Sequence, residues 1–78
     1  MTGIIIRDSG RGFFWAEADA THQSVFIHQN DVKDMRVLHV GDRVRFDLEP
    51  TPKVHGVRVE YLAHNVARQT SGAQGGQL

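Results

Sequence analysis

A chain of 78 residues with no cysteine leaves room for one small domain that neither disulfides nor a thiolate zinc site can brace, and the lack of cysteine fits a reducing cytoplasm. Nine Lys and Arg balance nine Asp and Glu, which argues against a partner held mainly by bulk charge, such as duplex DNA or an acidic membrane. No apolar run approaches the roughly 18 residues of a membrane span, and Ile4 to Ile6 is too short for a signal-peptide core.

Gly3-Ile4-Ile5-Ile6-Arg7 is β-branched and runs into the turn signal Asp8-Ser9-Gly10, so a first strand is expected there. Gly12 to Glu17 carries Phe13, Phe14, Trp15 and Ala16, and its aromatics favour a second strand. Asp19 to Gln23 is a polar turn, and Ser24-Val25-Phe26-Ile27-His28 a third strand. Asn30 to Met35 offers one helical turn, capped by Asn30 or Asp31, with Val32 and Met35 on one side. From Gly41 to Glu49 the alternation is clear: Val44, Phe46 and Leu48 share one face, and Arg43, Arg45, Asp47 and Glu49 the other. Pro50-Thr51-Pro52 ends that strand. A last strand is expected from about His55 to His64, with Val57, Val59 and Tyr61 inward. Residues 68–78 carry almost no apolar content and read as a disordered polar tail behind a folded domain of residues 1–67. Short strands with frequent turns predict a small all-β barrel with one helical turn.

Period-two geometry supplies the functional signal. Val25 and Ile27, with Phe14 and Ala16, are the natural core set of the second and third strands. Phe13, Trp15, Phe26 and His28 are then left together on the outer face. Four ring side chains facing solvent are costly unless something stacks on them, and single-stranded nucleic acid does so because every base has a π-face.

Arg11-Gly12-Phe13-Phe14-Trp15-Ala16 resembles the first ribonucleoprotein motif of cold-shock domains, K-G-F-G-F-I, and Val25-Phe26-Ile27-His28 resembles their second, V-F-V-H. Leu38, Gly41, Val44 and Phe46 reproduce the family's L-x-x-G-x-x-V-x-F spacing. The likeness spans residues 1–62 and implies a five-stranded antiparallel OB-type barrel that binds single-stranded RNA and DNA, often as an RNA chaperone. The departures are specific. The first strand has Ile6, Arg7 and Asp8 where the family carries a W-F pair, and Gln29 follows His28 where the family has Phe. About half the aromatic platform is retained.

The expected binding set is Phe13, Trp15, Phe26 and His28 for stacking, with Arg7, Arg11, Gln29 and, more weakly, Lys53 at the flanks. Stacking at about 1–3 kcal/mol per base puts three aromatics and one histidine at a gross 4–10 kcal/mol. Ordering the strand offsets several kcal/mol of that, so micromolar or weaker affinity is expected. His22, His28, His39, His55 and His64 are scattered without ligand spacing, and neither Ser9 nor Ser24 sits in a nucleophile elbow. No metal, no cofactor, no small-molecule substrate and no enzymatic activity are therefore expected. The expected partner is single-stranded RNA or DNA, bound by a monomer or weak dimer. The alternative is an OB-fold module for protein contact or self-association that has partly lost its nucleic-acid site.

Overall fold

The computed structural model describes residues 1–69. Its strands are β1 (Thr2–Asp8), β2 (Phe13–Ala18), β3 (Ser24–His28), β4 (Arg43–Leu48), β5 (Lys53–His55) and β6 (Arg58–Arg68). Around the sheet the order is β3-β2-β1-β4-β6, with β5 added on the far side of β6. Val25 and Phe26 pair in parallel with Tyr61 and Leu62, which joins β3 to β6 and closes five strands into an OB-type barrel. Closure pairs both sides of the barrel strands, so that among the described residues β5 alone keeps an unpaired edge. The other strand pairings are antiparallel, and outside the strands Val32 makes an isolated parallel bridge to Val66.

The barrel interior follows the period-two pattern. Phe14, Ala16, Val25 and Ile27 are buried, as are Val44 and Phe46 from β4. Burial of a Phe such as Phe46 is worth about 1.5–3 kcal/mol relative to leaving it exposed. Ile5 adds to this core from β1, and Leu38 closes it from the long connection before β4.

Two bulges break the alternation. The β1–β2 register slips between Ile5 and Arg7, so Ile5 pairs with Ala16 inside and Arg7 pairs with Trp15 outside. Ile6 is the extra residue, and 43 % of it is exposed. The β4–β6 register slips at Asn65, where Arg45 pairs with Ala67 but Asp47 with His64. Asn65 takes a left-handed backbone (φ 53°), which lets Ala63 and Val66 both point inward although they are three apart.

Three expectations are corrected. The segment from Asn30 to Met35 is not one helical turn but two separate 3₁₀ turns, Gln29–Asp31 and Lys33–Met35, with Val32 extended between them. Val32 is buried while Met35 is exposed, and the first turn is capped by the His28 ring rather than by Asn30 or Asp31. The last strand is a hairpin: β5 pairs with the start of β6 through Val54 and Val59. Val57 is wholly exposed and Val59 half exposed, because this hairpin lies beyond the barrel wall and has no interior to face; only Tyr61 reaches the core. The end of the fold also moves. Arg68 belongs to β6, and the Gln69 amide donates to the Arg43 carbonyl at 2.7 Å. The rest of the expected tail, residues 70–78, lies outside the described residues. Among the described residues no helix is long and apolar enough to cross a membrane.

Candidate nucleic-acid interface

The turn between β1 and β2 sets the start of the outer face. The Asp8 carboxylate accepts from the Gly10 amide at 2.8 Å, and Ser9 Oγ accepts from the Arg11 amide at 2.9 Å. Gly12 sits at φ 92°, a conformation that side chains rarely adopt. Its carbonyl accepts from the Gln29 amide at 2.8 Å, tying this turn to the end of β3.

The paired registers Phe13↔His28 and Trp15↔Phe26 then put four ring side chains on one outer patch. Phe13 and Phe26 stack with centroids 5.3 Å apart and planes at 29°. Trp15 meets both edge-on, at 5.1 Å from Phe13 and 5.8 Å from Phe26. Such offset and edge-to-face pairs are the favoured aromatic geometries, worth about 0.5–1.5 kcal/mol each beyond burial. The three rings are half-buried, so they support one another while keeping surface open to a ligand.

The sequence-predicted flanking residues divide into two groups. Arg7 is brought to the platform: its guanidinium carbon lies 5.2 Å from the Trp15 ring centroid. That placement depends on the bulge at Ile6. Lys53 is also brought in, from β5, and it lines a groove of 260 Å³ with Phe26 and His28. Gln29 is turned to another task, since its side-chain amide donates to the Arg36 carbonyl at 3.0 Å. Arg11 is exposed at the tip of the β1–β2 turn. His28 Nδ1 accepts from the Asn30 amide at 3.1 Å, so in this state the ring proton sits on Nε2, available as a donor.

The groove also contains residues that the sequence reading did not select. Asp31, Glu60 and His64 share it with Phe26 and His28. They come from separate segments that meet only because β6 closes on β3, and no local spacing marks them. His64 touches carboxylates with both ring nitrogens. Its protonation is held above the usual histidine range, first by the hydrogen bond with Asp31 and further by Glu49, with partial burial opposing. The two carboxylates flank opposite edges of the ring and do not converge on one point. Among the described residues no group of three or more such side chains is arranged to hold a metal ion.

No family model matches the chain, and no curated protein matches it in sequence.

Proposed function

We propose that this protein is a low-specificity binder of single-stranded RNA or DNA, a divergent cold-shock-type domain that acts by stacking bases on Phe13, Trp15 and Phe26. The observation that carries the reading is the mutually packed ring cluster on the outer face of an OB-type barrel, with a cation over one ring. Aromatic rings accept any base, so preference among sequences is mild. Arg7, Arg11 and Lys53 supply phosphate contacts, and His28 stacks or donates from Nε2 to a base edge. The mode of action is passive: the domain captures unpaired segments and shifts the folding equilibrium of its target by mass action, as an RNA chaperone in the cytoplasm would. It binds and does not catalyse.

The test is fluorescence anisotropy of labelled oligo-dT and oligo-U at low and moderate salt. Saturable binding that weakens with salt supports the reading. No binding of either oligonucleotide at low salt overturns it.

A second reading, a module for protein contact or self-association, draws on different residues. Val54, Val57 and Val59 are exposed on the β5–β6 hairpin. A mass that rises with protein concentration in the absence of nucleic acid favours it.

A further inference from the structure

The groove beside Phe26 carries a side-chain arrangement that base stacking does not use. His64 of β6 stands between two carboxylates, with Nδ1 3.2 Å from Asp31 Oδ1 and Nε2 3.0 Å from Glu49 Oε1. A neutral imidazole has a single N–H and can donate to only one of them. Both hydrogen bonds exist together only in the imidazolium. Asp31 ends the 3₁₀ turn after β3, and Glu49 follows β4. The ring therefore ties the segment that follows the His28 end of the platform to the end of β4, across the barrel closure.

We propose that Asp31, His64 and Glu49 form a proton-dependent latch that sets the charge and shape of the groove beside Phe26, so that single-strand capture is coupled to proton uptake by His64. This inference rests on the stacking reading and adds a regulatory element to it.

The charge balance gives the direction. With the imidazolium in place the three groups sum to −1. Loss of the proton takes them to −2 and leaves one carboxylate facing a ring lone pair instead of a donor. A strand whose bases stack on Phe26 brings its phosphates past this groove and is repelled more strongly in the second state. The other charged or titratable groups around the ring are His28 from β3, Asp47 opposite it on β4, Lys53 from β5, and Glu60 on β6 itself. Asp47 accepts from the Asn65 side chain at 3.0 Å, and Lys53 is the register partner of Glu60. Among the groups at this site, His64 is held above its ordinary histidine range, by the hydrogen bond with Asp31 and further by Glu49. By linkage, a bound polyanion favours the imidazolium, and affinity falls as pH rises through the range in which free His64 loses its proton, above the ordinary 6.5.

The experiment measures oligo-dT affinity at fixed ionic strength across the histidine range, for the wild type and for His64→Gln. His28 is present in both proteins, so the comparison isolates His64. The wild type should lose about three- to tenfold more affinity than the variant across that range, with the two converging at the alkaline end. Equal losses overturn the latch and leave the stacking reading intact. No binding at any pH overturns the stacking reading, and the latch with it. If His64→Gln does not fold, Glu49→Gln keeps the ring and replaces one of its two carboxylates with a neutral amide. The His64 titration followed by NMR should then move to lower pH and carry the pH dependence of binding with it. An unmoved titration overturns the latch.

Discussion

Arg7 lies over the indole of Trp15, its guanidinium carbon 5.2 Å from the ring centroid. The pair joins β1 to β2 at the point where their register slips by one residue. Without that slip Arg7 would point into the barrel, where an unpaired cation is untenable. The first strand thus adds a stackable cation to the aromatic face. Arg7→Ala should weaken oligonucleotide binding by about two- to fivefold, the scale of an exposed cation–π contact. With about three phosphates neutralised, the log–log salt slope of the wild type is near −2, and Arg7→Ala should reduce its magnitude by about 0.7. Affinities measured over a salt series check both figures.

Phe26 sits at the centre of the proposed face, touching Phe13 and Trp15 on one side and the groove on the other. Phe26→Ala should cost about 1–3 kcal/mol of binding, the value of one stacked base. Phe46 is fully buried and makes the contrasting case. Phe46→Ala should cost about 3–5 kcal/mol of folding stability instead. Binding titrations and urea denaturation on both variants separate the two roles.

Gly3 marks the tightest approach between strands. A Cβ there would lie 2.5 Å from the Glu17 carbonyl oxygen, a backbone atom that cannot swing aside. Gly3→Ala should force β1 and β2 apart and destabilise the fold by about 1–3 kcal/mol. Chemical denaturation of the variant measures it, and the effect on binding should appear only through the loss of folded protein.

Two groups give stability opposite pH dependences. The Asp19 carboxylate accepts from Thr2 Oγ1 at 2.7 Å and pairs with Arg43, which holds its pKa below the ordinary 3.8. Its contribution is present above 3.8 and is lost as pH falls through the lowered value. His64, held above 6.5, contributes below 6.5, and that contribution is lost as pH rises through the raised value. Melting temperatures over pH should show Asp19→Asn and wild type converging at the acid end, and His64→Gln and wild type converging at the alkaline end.

The barrel and its aromatic face were legible because β2, β3 and β4 keep strict alternation. Val25 and Ile27 could only be core if Phe26 and His28 were outside, and the structure has them so. The bulges were not legible. Nothing near Ile6 or Asn65 signals an extra residue, yet the first carries Arg7 to Trp15 and the second turns both Ala63 and Val66 inward. The β5–β6 hairpin misled for a related reason. Val57 and Val59 have the pattern of an inward face, but they lie past the end of the barrel, where the pattern has no core to meet. The Asp31–His64–Glu49 arrangement was invisible because its members are brought together by barrel closure, a tertiary event that local spacing does not encode.

Trp15 is the only tryptophan, and it reports directly on the proposed face. Its emission, followed during titration with oligo-dT and oligo-U at low salt, tests the central claim. The account predicts saturable quenching that weakens with added salt and moves to about 5- to 150-fold higher oligonucleotide concentration in Phe26→Ala. Emission that stays unchanged at high oligonucleotide concentration, from a folded protein, would contradict it and shift the weight to a protein partner.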